Sequence, residues 1–123
     1  MATLNNRVFD NGLTVLDTEA TRVDVTSQEA STYGEATSTY TLGNSTSLSI
    51  GAPADRSGGG RKVAVASITD GSVTGTGTVT HYALVDTNNS RLLATGSLTA
   101  SQAVTSGNTF TLATFDIGIP DPA

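Results

Sequence analysis

The 123-residue sequence contains no cysteine and no tryptophan, and it has a single histidine. Without cysteine there is no disulfide framework and no thiolate metal site. A lone histidine, His81, has no second imidazole with which to hold a metal ion. No stretch is apolar enough to span a bilayer. We therefore expect no metal, no other cofactor and no contact with a membrane.

Positive charge is also scarce, since six basic residues stand against eleven acidic ones and the net charge is −5. The basic residues do not cluster beyond Arg61-Lys62, so the electrostatic footprint of a nucleic-acid-binding protein is missing. The amino-terminal residues are polar and offer no apolar core of the kind that a secretory signal needs. These features predict a protein made in the cytoplasm that does not bind nucleic acid.

Threonine and serine dominate the composition, with 22 and 13 residues. Threonine is β-branched and favours strands, whereas serine and glycine favour turns. Leucine, isoleucine, valine and phenylalanine make up only 27 residues, which predicts a thin core that gains stability by packing against copies of the chain or a partner. We expect no long helix.

Hydrophobic alternation predicts an all-β fold, an antiparallel β-sandwich or small barrel of the jelly-roll or immunoglobulin-like kind. Residues 1–40 are predicted to be an extended N-terminal arm or weak strands, and residues 41–123 an antiparallel β domain. Within 1–40, alternation marks Leu13–Leu16 and Arg22–Thr26, while residues 27–41 are polar. Further on, turn residues at 53–60 and at Asp70-Gly71 separate predicted strands at 48–50, 62–68, 78–86, 91–98 and 109–117.

The predicted hairpin of residues 78–98 has a testable register. If residues 87–90 form its loop, Asp86 pairs with Arg91. The further predicted pairs are then Val85–Leu92, Leu84–Leu93, Ala83–Ala94, His81–Gly96 and Val79–Leu98. This register places an apolar set on one face, with His81 over a glycine, and a one-residue slip would mix the two faces.

Candidate chemical residues are few, and each favours a structural interpretation. His81 could be a general base, but no nucleophile can be placed beside it, so we expect a packed strand residue. The run Ser57-Gly-Gly-Gly-Arg-Lys62 fails the phosphate-loop pattern and predicts a flexible loop. Asp70 to Thr78 has one acid, too few for a calcium loop. We predict no catalytic, cofactor-binding or metal-binding residues, and no enzyme.

The tyrosines offer one alternative. Tyr33, Tyr40 and Tyr82 could stack on a sugar ring if they were exposed together. Strand residues with their hydroxyls in solvent are the simpler expectation.

Several segments of the chain resemble a group of small proteins encoded by tailed bacteriophages. The similar runs are Tyr40–Asn44, Pro53–Arg56, His81–Asp86, Leu92–Gly96, Gly107–Leu112 and Ile117–Ala123. The resemblance covers the chain from about residue 22 onward and implies a virion component. It brings no catalytic residues with it.

Size, acidity and β content suit a capsid decoration, or cement, protein within that group. Such a protein would sit on the outer head surface of the virion and bridge major capsid subunits. Its partners would be the major capsid protein and copies of itself, with a trimer at local three-fold positions as one arrangement. The alternative is a tail or fibre accessory module that binds a host-surface glycan.

Overall fold

The computed structural model describes residues 5–120, and strands account for 50% of the chain beside one α-helix. The prediction of an antiparallel all-β fold of the sandwich or barrel class is thus confirmed. The helix α1 spans Asn6–Glu19. The strands are β1 (Arg22–Thr26), β2 (Thr41–Ser45), β3 (Ala54–Asp55), β4 (Arg61–Val65), β5 (Ile68–Val73), β6 (Gly77–Asp86), β7 (Arg91–Val104), β8 (Thr109–Leu112) and β9 (Phe115–Ile119).

The chain forms two compact units, and each is built from separate stretches of sequence. We call the first the helical unit; it consists of Met1–Glu19, Ser49–Ser67 and Ala113–Ala123. The second, the large-sheet unit, consists of Ala20–Leu48 and Ile68–Leu112. This division differs from the predicted boundary at residue 40, because long-range strand pairing joins segments that are distant in sequence.

A helix occupies the place where the sequence predicted an extended arm and a Leu13–Leu16 strand. The Asn5 side chain caps it, accepting a hydrogen bond from the Arg7 N–H at 2.9 Å. Phe9, Leu13 and Leu16 lie on one helical face and are buried. Their i, i+4, i+7 spacing fits a helix, and burial of this face outweighs the strand preference of the neighbouring threonines and valine.

Helix α1 packs on a three-stranded antiparallel sheet with the order β3-β4-β9. Val63 and Val65 of β4 are buried, whereas the intervening Ala64 is exposed. The sheet therefore has one apolar face and one face open to solvent. Ile50, placed in a predicted strand, makes only an isolated bridge to Val65.

The large-sheet unit is a six-stranded antiparallel sheet, curled as a half-barrel, with the order β7-β6-β1-β2-β5-β8. The strand predicted at Arg22–Thr26 is confirmed as β1, which pairs with both β2 and β6. These residues were predicted to belong to an arm; they lie instead in the middle of the sheet. Burial on both sides of β1 explains why Asp24 and Thr26 are as enclosed as its valines.

The polar segment between β1 and β2 is neither a strand nor an extended connection. It includes a π-helical turn, Glu35–Thr39, and it buries Ala30 and Ala36 against Ala83 and Val85 of β6. Tyr33, Tyr40 and Leu92 pack around this cluster. Small side chains thus let a largely polar segment lie close to one face of the sheet.

The turn predicted at Asp70-Gly71 is wrong, because both residues lie within β5. A Cβ at residue 71 would overlap the ring of Phe110 on β8, and the same ring lies 3.2 Å from a Cβ placed at Gly43 on β2. The pairing of β5 with β8 is irregular between Ile68 and Gly71. Gly71 is therefore a packing residue that makes room for a buried ring.

Two predicted strands are each divided in the structure. The prediction for 109–117 corresponds to β8 and β9, which belong to different sheets. The prediction for 62–68 corresponds to β4 and the start of β5, again in different sheets. The break after β8 falls at Ala113-Thr114, where the Thr114 hydroxyl donates to the Val65 carbonyl at 2.7 Å. The segment 53–60, predicted as a loop, contains the two-residue strand β3.

The hairpin register is confirmed at its closed end and wrong beyond it. Asp86 pairs with Arg91 and Val85 with Leu92, as predicted. A β-bulge then shifts the pairing by one residue, and the observed pairs are Leu84–Ala94, Ala83–Thr95, Tyr82–Gly96 and His81–Ser97.

The bulge has a steric reason. The ring of Tyr82 lies where a side chain at residue 96 would be, so the buried tyrosine, and not His81, takes the space above the glycine. A second irregularity, between Val79 and His81, brings Gln102 opposite Val79 in place of Leu98. Segment 98–101 therefore bulges out of the ladder.

Candidate functional site

The single histidine, His81, lies half-buried on β6, and its Nδ1 is 2.8 Å from the hydroxyl of Thr80. Its backbone carbonyl accepts a bond from the Thr26 hydroxyl at 3.4 Å. Both contacts tie it to the sheet. The expectation that it is a packed strand residue matches this position, although its register partner differs from the predicted one.

Acidic and histidine side chains do not gather in the part of the chain that the structure describes. Within residues 5–120, no group of three or more could hold a metal ion. Asp70, the one acid of the Gly/Thr-rich stretch, is exposed on β5. The absence of a metal site stays a prediction of the sequence.

The three tyrosines are not brought together. Tyr33 and Tyr40 are half-buried around the cluster that contains Ala83. Tyr82 is buried and, as the strand neighbour of Ala83, points to the opposite face of the sheet. A sugar platform made of all three rings is therefore not formed; Tyr33 and Tyr40 alone share a patch.

The large-sheet unit contains a buried ion pair that sequence reasoning missed. Asp24 on β1 is fully buried and accepts bonds from Arg22 Nε at 2.7 Å and Arg22 Nη2 at 3.2 Å. The Thr41 hydroxyl adds a third bond at 2.8 Å. Burial raises the pKa of the Asp24 carboxyl above its usual value, against the opposing effect of these partners. The alternation at Arg22–Thr26 does not reveal this burial, which follows from the central place of β1 in the sheet.

Asp86 orders the loop between β6 and β7. Its carboxylate accepts from the Asn89 side-chain amide at 2.8 Å and from the backbone N–H groups of Asn88 and Asn89 at 3.0 and 3.3 Å. These bonds, the side chain of Asn89 foremost, lower the pKa of Asp86. The predicted loop of residues 87–90 is thus held by its first flanking residue.

The glycine-rich run between β3 and β4 is an ordered loop and contains basic side chains. Gly58, Gly59 and Gly60 all have positive φ, between 88° and 106°, which other residues rarely adopt. Arg56 Nη1 donates to the Gly59 carbonyl at 3.0 Å and lies 3.5 Å from that of Ser57. No helix follows the loop, so it lacks the architecture of a phosphate-binding loop, as the sequence predicts.

Arg61, directly after this loop, joins three elements of the helical unit. Its Nε bonds Asp10 of α1 at 2.9 Å, and its Nη1 bonds Asp55 of β3 at 2.7 Å. Its Nη2 also donates to the Pro53 carbonyl at 3.3 Å. The guanidinium of Arg61 therefore has a structural role, since it holds these elements together.

One edge of the large sheet is long and half-exposed, and Arg91 at its start is the one charged residue of its sequence. Strand β7 has 14 residues and stands at the end of the strand order. From Leu92 to Phe115 the sequence has no Asp, Glu, Lys or Arg. Proteins usually protect such edges with charges, proline or bulges. Here the bulge at 98–101 interrupts the edge, and the segment from Leu92 to Ser97 remains, with the Glu29 carboxylate accepting from the Thr95 hydroxyl at 3.4 Å.

The opposite edge of the same sheet is closed by a side chain. Gln102 of β7 donates through Nε2 to the Thr111 carbonyl at 3.1 Å, and its Oε1 accepts from the Thr111 N–H at 3.4 Å. The amide thereby bonds β8 in the way that a neighbouring strand would.

No family model, curated protein or solved structure matches the chain. A search of the described residues for a helix with the length and apolarity needed to cross a membrane found none.

Proposed function

We propose that the protein is a structural component of a tailed-phage virion, a decoration protein that binds the outer head surface and bridges major capsid subunits. The phage assignment rests on the resemblance of the runs at residues 81–86, 92–96 and 107–112. The structural role rests on the geometry of β7, which offers a surface for lateral contacts.

The observation that carries the structural role is the strand edge from Leu92 to Ser97, whose own residues have no charge. An isolated protein with this edge risks uncontrolled strand pairing, whereas a protein assembled into a shell would cover it. Leu92 and Leu93 are half-buried there, so a neighbouring chain could gain both backbone bonds and apolar contact. Copies of the chain, including a trimer at three-fold positions, and the capsid protein are the proposed neighbours.

The predicted N-terminal arm does not supply the bridging contacts in this proposal. Residues 22–26 form a central strand and residues 6–19 a helix packed on β4 and β9. The bridging contacts would instead come from folded surfaces, in particular from β7.

Copy number in purified virions is the first test. Quantitative peptide mass spectrometry against the major capsid protein should give about one copy per capsid subunit, or one per few subunits. A few copies per particle would move the assignment to the tail or a fibre. Complete absence from virions would overturn the structural proposal.

A binding test addresses the β7 edge itself. The double variant Ser97→Lys, Thr99→Lys places two charges at exposed positions on β7, and it should abolish binding to shells that lack the protein. Asn11→Lys, at an exposed position of α1, is the matched control and should bind normally. Circular dichroism and thermal melting establish that all three proteins fold. Normal binding of the folded double variant would argue against the β7 edge.

The alternative proposal is a tail or fibre module that binds a host-surface glycan. The patch shared by Tyr33 and Tyr40 supports it, since both rings keep partial exposure. Saturable binding of a cell-surface polysaccharide, lost in Tyr33→Ala, would favour this alternative together with a low copy number.

A further inference from the structure

A solvent-facing cavity of about 360 Å³ lies in the helical unit, lined by Arg56, Ser57, Lys62, Asp116 and Gly118. Its floor is the face of the three-stranded sheet that points away from the buried valines, because Lys62 and Gly118 are register partners next to Val63. The lining residues are polar or small. The cavity is thus suited to a small polar group.

Arg56 is fixed over this cavity by its surroundings. A Cβ at Gly118 would lie 2.9 Å from Arg56 Cδ and 3.1 Å from Nε, so the absence of a side chain there makes room for the arginine. Its Nη1 is held by the Gly59 carbonyl. The loop glycines and Gly118 therefore restrict where this guanidinium lies before any ligand arrives, which reduces the ordering cost of binding.

The charges around the cavity are unequally matched. Lys62 Nζ bonds Asp116 at 2.9 Å, and Arg61 is engaged with Asp10 and Asp55. Within residues 5–120, Arg56 has no carboxylate partner, and its Nε and Nη2 donors remain unused. The cavity lining has two cations and one carboxylate, a net charge of +1.

We propose that this cavity is a carboxylate-binding site, and that its ligand is an acidic side chain of a partner polypeptide. The free Nε–Nη2 edge of Arg56 matches the two oxygens of one carboxylate. A monoanion balances the net charge of the lining, whereas a phosphate dianion exceeds it. The Ser57 hydroxyl supplies a further donor at the rim.

The lining favours a protein carboxylate over a sugar acid. None of the lining residues is aromatic, and sugar sites commonly use an aromatic face for stacking. A flat sheet face floored by Gly118 accepts the slender end of an aspartate or glutamate side chain. The site stands independently of the virion proposal, since any acidic partner surface would meet its requirements.

The test is a titration of the full-length, ¹⁵N-labelled protein followed by NMR at constant ionic strength. N-acetylglutamate α-amide is the probe, its neutral glutamine analogue is the control, and glucuronate represents sugar acids. The reporters are the Arg56 Nε–H signal and the backbone amides of Ser57 and Gly118. We expect saturable shifts with half-saturation at about 10 mM, while the Nε–H of Arg7, exposed on α1, does not move.

Two variants sharpen the result. Arg56→Lys keeps the charge but loses the two-pronged donor, and it should weaken binding about threefold or more. Asp116→Asn removes the repelling carboxylate and frees Lys62, and it should tighten binding about threefold.

Three outcomes would overturn the proposal. Equal shifts with the glutamine analogue would show that the cavity does not recognise the charge of the probe. Signals of Arg7 and Arg56 that shift equally and do not saturate would show that the probe only screens charges in general. Tighter binding of glucuronate than of the glutamate probe would reassign the site to a sugar acid. None of these readouts depends on capsid shells.

Discussion

The helical unit and the large-sheet unit join their elements by different interactions. In the helical unit, ion pairs link the secondary-structure elements, with Arg61 reaching α1 and β3 and Lys62 reaching β9. In the large-sheet unit, rings lie on glycines, as Phe110 does on Gly71 and Tyr82 on Gly96. The first kind of contact tolerates changes of side-chain size, and the second does not. The large-sheet unit should therefore be more sensitive to small changes of shape than α1 of the helical unit, whose own close glycine contacts lie at Gly60 and Gly118.

The largest expected effect comes from the buried ion pair of the large-sheet unit. Arg22→Met leaves Asp24 buried without its cation and should lower the free energy of unfolding by roughly 3 kcal/mol at pH 7. Urea denaturation measures this loss. Arg22→Lys retains a charge and should lose less. A loss below about 1 kcal/mol would mean that the carboxylate finds water or another donor.

The same pair has a signed pH dependence. Burial raises the pKa of Asp24 in the folded state. At a pH between the usual and the raised pKa, Asp24 is therefore protonated in the folded protein and ionised in the unfolded chain. This contribution to stability is fully present below the usual carboxyl pKa, about 3.9, and is lost as pH rises through the raised one. In Arg22→Met the pKa rises further, so the penalty of the variant should shrink as pH falls. Penalties that stay constant with pH would contradict this.

The next largest effect is expected from a single methyl group. Gly71→Ala places a Cβ into the Phe110 ring and should destabilise the protein by about 2 kcal/mol. Thermal and urea unfolding measure the change. Phe110→Leu in the same chain should relieve the overlap, so the double variant should lose less than the sum of the single losses. Simple additivity would count against the contact.

The same substitution in the helical unit should act in the opposite direction. At Gly12, within α1, a Cβ would lie 3.7 Å from Ile119 Cδ1, an ordinary contact. Gly12→Ala should therefore raise stability by roughly 0.5–1 kcal/mol, the usual gain of alanine over glycine in a helix. A loss of stability would show that α1 is packed as tightly as the large sheet, and the contrast would fail.

The smallest effect is expected from an exposed ion pair. Lys62 and Asp116 side chains are 36% and 50% exposed, so Asp116→Asn should change the free energy of unfolding by less than about 0.5 kcal/mol. The difference should vanish in high salt, because salt screens exposed charges. A larger loss of unfolding free energy that salt does not change would show that this pair stabilises the protein more than its exposure predicts.

The parts of the fold that the sequence predicted are those set by local pattern. The fold class, β1, β6 and the Asp86–Arg91 end of the hairpin follow from alternation and turn residues. The helix α1 was missed because threonine and valine suggested a strand, although Phe9, Leu13 and Leu16 have helical spacing. Here tertiary burial decided between two periodicities.

The misassigned details depend on contacts between distant residues. Gly71 resembled a turn residue because the ring of Phe110, which requires a glycine at this position, is 39 residues away in the sequence. The bulge that displaces Leu93 follows from the size of Tyr82, which a pairing rule based on polarity does not weigh. Arg56 is equally unremarkable in the sequence; only the pairing of β9 with β4 places Gly118 beneath it.

The Gln102–Thr111 contact also limits how the large sheet can grow. A sheet with two open edges can add neighbours without end, whereas this one has its β8 edge occupied by its own side chain. The β7 edge is therefore the edge of this sheet at which another strand can be added. Strand pairing at β7 would then join two chains and stop, so no fibre would form, and a trimer at three-fold positions would use surfaces other than this edge. Gln102→Ala, which removes both bonds to Thr111, would open the β8 edge as well.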